Sequence, residues 1–240
     1  MRDDVIKQLR DLNRDFYDTF ARVFARSRGA TEPGLERILA DVGAGDHMLD
    51  LGCGQGRIVL RLPESCTYVG VDFSAEMVAL AREEARKAPQ VETHFLVADL
   101  LAFPWPPTLG EDYDWIVLRA VLHHVPAFEN RRQILEQAAA RLAPEGRIVI
   151  ANWQFLDLPR LRRRLLPWGE IGLSADEVEE DDYLLDWKRE GYGLRYVHLV
   201  DRAETLRLAQ AAGLEIEEIF RADGHNNDLT LYAVMRRADS

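Results

Sequence analysis

A glycine-rich segment, Gly52-Cys53-Gly54-Gln55-Gly56, directly follows a short apolar stretch that ends at Leu51. Glycines at the end of a strand allow the backbone to approach a ligand that a side chain would exclude, and a following helix points its N–H groups into the same crevice. The spacing is GxGxG, because Arg57 stands where a GxGxxG dinucleotide loop has its third glycine. The segment therefore predicts a cofactor site, and the missing third glycine disfavours a nicotinamide dinucleotide.

Three aspartates, Asp50, Asp72 and Asp99, stand at or near the ends of successive predicted strands. Ligands of open α/β sheets bind at the carboxyl ends of the strands, so these carboxylates are expected to face one crevice. Asp72 could accept hydrogen bonds from both hydroxyls of a ribose, and Asp99 suits the exocyclic amine of adenine, with Leu100 beside the ring. Asp50 would orient the loop or receive the amino group of the cofactor. A turn or helix-capping role is the alternative for Asp72 and Asp99.

The elements that must position these residues alternate between strands and helices. Strands are predicted at 47–51, 68–71, 92–98, 113–118 and 147–151, and helices at 1–26, 33–42, 74–87 and 128–142, with a further helix starting at 57–62. A helix at 202–212 and two strands at 214–220 and 229–235 complete the chain. The alternation predicts an α/β fold with a doubly wound, mostly parallel sheet, and the last two strands predict a C-terminal antiparallel hairpin. The sheet would have seven strands.

We predict a single domain over residues 1–240 with four parts. These are the N-terminal helices (1–42), a cofactor-binding core (43–151), an inserted segment (152–200) and a C-terminal helix with the hairpin (201–240). The inserted segment is too long for a plain connection, so we expect it to form a cap over the site.

Segment 47–57, Asp72 and Asp99 together resemble motifs I, II and III of the class I S-adenosylmethionine-dependent methyltransferases, and the resemblance covers residues 41–151. It implies a Rossmann-like fold and S-adenosyl-L-methionine as the cofactor. The residues expected to bind the cofactor are Asp50, Gly52, Cys53, Gly54, Gly56, Asp72, Phe73, Met77, Asp99, Leu100 and Arg119.

A histidine pair, His123-His124, lies in the segment after the fourth predicted strand. By resemblance, this segment passes beneath the methyl-donor sulfur, so its side chains would face the methyl acceptor. Paired histidines could bind a metal, but no histidine, cysteine or aspartate stands at a complementary ligand spacing, and no metal site is predicted. We expect one histidine to pack in the core and His124 to face the crevice.

A closer resemblance, to the tRNA wobble-uridine carboxymethyl methyltransferases, rests on segments 182–187 and 195–199, on the histidine pair, and on Asn226, Leu229, Tyr232 and Val234. It implies tRNA as the acceptor and a small zinc-containing activator protein as a partner, since eukaryotic relatives work with one. It also implies that Tyr17 and Arg28 contact the cofactor or the acceptor.

The acceptor chemistry of that family gives a second set of candidates. A carboxymethyl group is an ionised nucleophile at pH 7, so it needs alignment and no general base, and proximity can lower a barrier by about 7–11 kcal/mol. Arginines could hold the carboxylate through two hydrogen bonds each. The candidates are Arg119, Arg195 and Arg28, with Tyr196, His198 and His124 beside them. A surface ion pair is the alternative for each arginine.

The formal net charge of −11 favours a different acceptor, because an acidic surface repels a polyanion such as tRNA. The alternative is a small-molecule O- or N-methyltransferase. Arg160 and residues 162–164 form a basic cluster that would either contact phosphates or be a solvated face paired with acidic residues 176–182. A nicotinamide oxidoreductase and a non-catalytic cofactor-binding module are the further alternatives; the module would bind S-adenosylmethionine without producing S-adenosylhomocysteine.

Composition fits an ordinary globular domain, with 240 residues of which 47% are hydrophobic and 30% charged. The longest apolar runs are too short to cross a bilayer, and the charged start lacks the apolar centre of a signal peptide. We therefore expect no membrane association and a cytoplasmic location. The two cysteines, Cys53 and Cys66, have no partners at metal-ligand spacing.

Overall fold

The computed structural model describes residues 1–27, 32–188 and 190–238, so the candidate acceptor residue Arg28 lies outside the described residues. No helix within these ranges combines the length and the apolar character that a bilayer crossing requires. Their α-helices are α1 (Asp3–Ser27), α2 (Pro33–Leu39), α3 (Ala75–Ala85), α4 (Phe128–Ala139), α5 (Pro159–Arg162) and α6 (Arg202–Ala211). Their strands are β1 (His47–Leu51), β2 (Thr67–Asp72), β3 (Glu92–Val97), β4 (Tyr113–Arg119), β5 (Leu142–Trp153), β6 (Leu165–Leu166), β7 (Asp182–Trp187), β8 (Gly193–His198), β9 (Leu214–Ala222) and β10 (Thr230–Arg237).

Seven of the strands form one sheet in the order β3-β2-β1-β4-β5-β10-β9. The five strands β3, β2, β1, β4 and β5 are parallel to one another. Strand β10 is antiparallel to both of its neighbours, β5 and β9. The predicted seven-stranded, mostly parallel sheet with a C-terminal antiparallel hairpin is confirmed. Helices cover both faces of such a sheet, so a ligand cannot bind on either face. The ligand site is therefore expected at the carboxyl ends of the strands.

Two hydrophobic clusters cover the two faces of this sheet. Leu135 of α4 and Leu208 of α6 pack on the face that contains Ile116 of β4. Ile38 of α2 packs on the opposite face, which contains Val117. Successive strand residues therefore point to opposite faces, and both faces are apolar, as expected for central parallel strands.

Most predicted elements differ from the observed ones by one to three residues at an end, and two differ more. The helix expected from 57 is a short 3-10 helix, Arg57–Arg61. β5 begins at Leu142 and not at 147, because a shift in register with β4 lets Leu142 pair with Tyr113 before Arg147 pairs with Trp115. Extra residues on one strand produce such a shift, and hydrophobic periodicity alone does not reveal it.

The inserted segment (residues 152–200) contains a separate antiparallel sheet in the order β6-β7-β8. Asn13 of α1 is buried against it: its Oδ1 accepts a hydrogen bond from the Tyr196 N–H at 2.9 Å. Its Nδ2 donates to the carbonyl oxygens of Tyr196 at 3.1 Å and His124 at 3.2 Å. A single amide thus joins α1, the inserted sheet and the turn after β4.

Asn13→Ala is expected to lower the free energy of unfolding by about 1–3 kcal/mol, because it leaves the buried Tyr196 N–H without its acceptor. Urea unfolding followed by tryptophan fluorescence measures the loss. The control Gln8→Ala removes one exposed hydrogen bond on the same helix, from Gln8 Nε2 to the Ile171 carbonyl, and should cost less than about 0.5 kcal/mol. Equal losses in the two variants would contradict the role given to Asn13.

Candidate active site

A cavity lies where β1, β2 and β4 end, beneath the middle of α1. Open α/β sheets bind their ligands at this edge, which is where the sequence predicted the site. The predicted residues that line it are Tyr17, Gly52, Cys53, Gly54, Asp72, Phe73, Met77, Asp99, Leu100, Arg119 and His124.

The glycine loop forms the floor of the cavity. Gly54 has a left-handed backbone, with φ of 56°, and its N–H donates to Asp72 Oδ2 at 2.9 Å. The Ser74 N–H donates to the other oxygen, Asp72 Oδ1, also at 2.9 Å. Burial raises the pKa of the Asp72 carboxyl, and the hydrogen bonds from the backbone oppose this shift. The loop and the start of α3 therefore fix one carboxylate at the end of β2.

Two of the predicted cofactor residues do not line the cavity and are corrected. Gly56 faces α3, where an added Cβ would lie 3.0 Å from the Ala81 Cβ, so it permits close packing of the loop. Asp50 is buried and accepts a hydrogen bond from the Tyr68 hydroxyl at 2.6 Å. Burial raises its pKa to about 6, although that hydrogen bond and the charge of Arg119 oppose the rise. This hydrogen bond joins β1 to β2 directly before the glycine loop.

Asp99 is held by α1. Its Oδ2 accepts from Arg10 at 2.5 Å and from Arg14 at 2.9 Å, and its Oδ1 accepts from the Leu101 N–H at 2.9 Å. Arg10, Asn13 and Arg14 also line the cavity and were not predicted from the sequence. The available signal was their spacing, because positions 10, 13, 14 and 17 share one polar face of α1.

Tyr17 and His124 meet on the wall of the cavity. The Tyr17 hydroxyl lies 2.7 Å from His124 Nε2, and His124 Nδ1 lies 3.2 Å from the Tyr196 carbonyl oxygen. His123, in contrast, is buried, stacks on Trp153 and contacts Asn152 Oδ1 through Nδ1 at 3.2 Å. The expected division of the pair, one histidine in the core and His124 at the crevice, matches this geometry.

The two described arginines proposed to clamp an acceptor carboxylate, Arg119 and Arg195, are not brought together. Arg119 lines the cavity but forms an ion pair with Glu32 at 2.7 Å. Arg195 does not line it: its guanidinium is fully buried behind Tyr17, among the rings of Phe16, Trp153 and Trp187. Arg28 lies outside the described residues.

Tyr196 and His198 do not line the cavity either, which corrects their expected place beside the acceptor. They point to the opposite side of β8 from Arg195, because side chains alternate along a strand. The Tyr196 hydroxyl and His198 Nδ1 both contact Asp182 Oδ1 at 2.7 Å, and His198 Nε2 lies 3.1 Å from Glu204 Oε1. This is a buried polar network that joins the inserted segment to α6.

The same network contains a group of side chains with metal-ligand character. Donor atoms of Glu179, Asp182 and His198 lie within 4.8 Å of one another. Protonated donors already occupy the carboxylates, however, since Arg131 pairs with both Glu179 at 2.9 Å and Glu204 at 2.8 Å. The arrangement is that of an ion-pair network.

Within the described residues, no ion pair joins the basic cluster, Arg160 and residues 162–164, to the acidic residues 176–182, although one interpretation expected such pairs. Glu177 pairs with Arg2, Glu179 with Arg131 and Asp182 with His198. The side chains of Arg160, Arg162 and Arg163 are exposed.

Comparison with known proteins supports the interpretation of this cavity. Residues 43–189 match a family model described as a methyltransferase domain. The chain belongs to this methyltransferase family. It is therefore an S-adenosylmethionine-dependent methyltransferase, and S-adenosylmethionine is its cofactor.

Named relatives of this methyltransferase act on different substrates. It is 29% identical over 137 residues to a tRNA (carboxymethyluridine(34)-5-O)-methyltransferase of Arabidopsis thaliana, covering 57% of this chain and 31% of the relative. It is 30% identical over 119 residues to a 27-O-demethylrifamycin SV methyltransferase of Amycolatopsis mediterranei, covering 48% of this chain and 42% of the relative. The chain thus spans less than half the length of either relative.

The fold is similar to that of solved structures over almost the whole chain. A complex of the protein DhpI with SAM and HEP superposes with a TM-score of 0.66 at 22% identity, covering 95% of this chain and 97% of that one.

His198→Gln is expected to make the stability of the methyltransferase less dependent on pH. Burial opposes a charged imidazole, but the hydrogen bonds to Asp182 and Glu204 outweigh it and raise the pKa of His198. A raised pKa in the folded state means that the stabilisation is complete below about pH 6.5. It is lost as the pH rises through the folded-state value. The cost of the substitution, about 1–3 kcal/mol at pH 6, should therefore shrink by pH 9.

Urea unfolding at pH 6, 7.5 and 9 measures this cost. The exposed His94 supplies the control, since His94→Gln should change the free energy of unfolding by less than about 0.5 kcal/mol. A cost for His198→Gln that stays constant or grows with pH would refute the protonated bridge.

Proposed function

We propose that this methyltransferase moves the methyl group of S-adenosylmethionine to an oxygen or nitrogen of a small molecule, at an atom that carries a proton. The observation behind the proposal is the 2.7 Å contact between the Tyr17 hydroxyl and His124 Nε2 on the cavity wall. A hydrogen-bonded phenol and imidazole at that position can remove a proton from a hydroxyl or an amine.

The floor of the cavity suits the cofactor. A Cβ placed on Gly54 would meet no atom within 4 Å, so the loop backbone borders open space that a ligand can approach closely. Asp72 would accept the ribose hydroxyls, Asp99 the adenine amine, and Leu100 would flank the ring. When bound, the cofactor supplies an electrophilic methyl group on a sulfonium sulfur. The remaining task of the protein is to orient the acceptor and to remove its proton.

The tautomer of His124 follows from its neighbours. A backbone carbonyl can only accept a hydrogen bond, so Nδ1, which faces the Tyr196 carbonyl, carries the proton. Nε2 then has a free electron pair and accepts the Tyr17 O–H. As the acceptor loses its proton to the Tyr17 oxygen, the Tyr17 proton can pass to Nε2. The resulting imidazolium keeps its hydrogen bond to the carbonyl.

An ionised carboxylate acceptor would need arginines and no base. Of the arginines predicted for this role and described in the structure, Arg119 is already paired with Glu32, and Arg195 does not line the cavity. Arg10 and Arg14, which line it, are paired with Asp99. The side chains around the acceptor end therefore suit proton removal better than carboxylate binding. The likeness to a 27-O-demethylrifamycin SV methyltransferase is consistent with this choice.

Methylation of a carboxymethyl group on a tRNA wobble uridine is the second candidate. The tRNA methyltransferase among the relatives favours it. So do three exposed arginines on and directly after α5, Arg160, Arg162 and Arg163, which could contact phosphates. By the family resemblance, that activity would involve a small zinc-containing partner protein.

Labelled methyl from S-adenosylmethionine, offered to a small-metabolite extract and to bulk tRNA, separates the two candidates. We expect label in small molecules that mild base does not release, since ethers and methylamines resist it. Asp72→Ala provides the inactive control. Base-labile label confined to tRNA would indicate a methyl ester and would replace the first candidate with the second.

His124→Gln is expected to reduce methyl transfer by about 10²- to 10⁴-fold, the usual contribution of a general base. Calorimetry should show unchanged binding of S-adenosylmethionine, because glutamine keeps a polar side chain while it cannot take up the proton. The control His47→Gln alters an exposed histidine at the opposite end of β1 and should retain full activity. Full activity in His124→Gln would exclude the proposed base.

A further inference from the structure

Arg195 is a buried cation with no carboxylate partner in the described part of the chain. Its side chain is 1% exposed. The guanidinium carbon lies 5.2 Å from the ring centre of Phe16, 5.1 Å from that of Trp153 and 5.4 Å from that of Trp187. Its Nε and Nη1 atoms have no hydrogen-bond acceptor among the described residues.

Burial of an unpaired charge is costly, and three aromatic faces compensate for only part of the lost hydration. Burial accordingly lowers the pKa of Arg195. Charge on Tyr17 and a hydrogen bond to its side chain oppose that shift, whereas the nearby Arg164 adds to it. Tyr17 is thus the polar group that compensates the guanidinium.

Tyr17 in turn reaches the cavity. Its hydroxyl lies 2.7 Å from His124 Nε2, and both side chains line the cavity wall. Tyr17 and Arg195 also pack on the same ring, that of Phe16, with the Tyr17 ring centre and the Arg195 guanidinium carbon each 5.2 Å from its centre. The phenol of Tyr17 therefore has the imidazole of His124 and the guanidinium of Arg195 as neighbours. A cation next to a phenol favours its ionised form.

We propose that Arg195 is a positioning residue that acts through Tyr17: it holds the phenol oxygen against His124 and favours the phenolate. The proposal rests on the proposed function, in which the acceptor loses a proton. In that step the acceptor O–H or N–H bond breaks, the bond from the acceptor atom to the methyl carbon forms, and the sulfur–methyl bond breaks. The acceptor proton goes to the Tyr17 oxygen and the Tyr17 proton to His124 Nε2. A neutral thioether and an imidazolium result.

Other charged groups near this pair have partners of their own. Arg10 and Arg14 both form ion pairs with Asp99, and Arg119 forms one with Glu32. The carboxylate of Asp72 accepts two backbone N–H groups. Among the described residues, further charged or titratable neighbours are Arg57, which lines the same cavity, His123, which contacts Asn152 and stacks on Trp153, and Asp18 of α1, whose charge acts on Asp72. Arg195 is therefore the cation expected to act most directly on Tyr17.

The test follows the ionisation of Tyr17 and needs no acceptor. The intact protein is labelled with ¹³Cζ-tyrosine and ¹⁵N-histidine, and Tyr17→Phe and His124→Gln assign the two resonances. In the unsubstituted protein the Tyr17 Cζ resonance should titrate below about pH 10, the ordinary value for tyrosine. In Arg195→Met, which keeps the length of the side chain and removes the charge, the midpoint should rise by about one to three pH units.

Arg195→Lys keeps the charge and should restore part of the shift. The matched control is Arg141→Met, since Arg141 is also a buried arginine over a tryptophan ring, 5.4 Å from that of Trp105, but does not contact Tyr17. It should leave the Tyr17 resonance unchanged. If Arg195→Met does not fold, the titration of the unsubstituted protein still decides, because a Tyr17 midpoint at or above about pH 10 overturns the proposal.

Failure of this inference and failure of the proposed function give different results. An unshifted Tyr17 midpoint in Arg195→Met overturns the role of Arg195, whatever the acceptor is. A shifted midpoint together with methyl transfer to tRNA carboxylates alone keeps the electrostatic pairing but overturns the proton transfer that gives it a function.

Discussion

The hydrogen bonds of one buried side-chain amide, that of Asn13, determine the position of α1, which covers the cavity. Asn13 pairs with both backbone groups of Tyr196 and with the carbonyl of His124. Because these groups are buried, a shift of α1 would leave several polar atoms without hydrogen-bond partners. The free-energy penalty for such unsatisfied buried atoms exceeds the net stabilisation that the hydrogen bonds provide. Tyr17 lies one helical turn farther along α1, so its position at His124 depends on the same amide.

The sheet and the cofactor end of the site could be predicted because backbone topology determines them. Strand alternation predicts parallel order, and parallel order places Gly54, Asp72 and Asp99 at one edge whatever their side chains do. The residues proposed to contact the methyl acceptor could not be predicted in the same way, because their positions depend on which way side chains point within the inserted segment. There both faces of β8 are buried, so the hydrophobic pattern cannot predict that Arg195 packs on the ring of Phe16 while Tyr196 and His198 contact Asp182.

The residues of α1 that cover the cavity could not be predicted from the sequence either. Arg10 and Arg14 occupy the polar side of an amphipathic helix, where charged residues usually face water. Their partner Asp99 is 85 or more residues away in the chain, and only the folded arrangement of β3 and α1 brings the charges together. Asp99 was recognised through its strand end, but the cations that hold it required the tertiary structure.

The burial of Arg195 next to Tyr17 lowers the stability of the fold, and this cost indicates which chemistry the site performs. A guanidinium buried without a carboxylate destabilises the fold, and an apolar side chain of similar volume would pack among Phe16, Trp153 and Trp187 at lower cost. Residues that reduce stability in this way concentrate at functional sites. An ionised carboxylate would react without a base and would gain nothing from a cation placed behind a phenol. A hydroxyl or an amine must lose a proton, and the Arg195–Tyr17–His124 arrangement can contribute to that step.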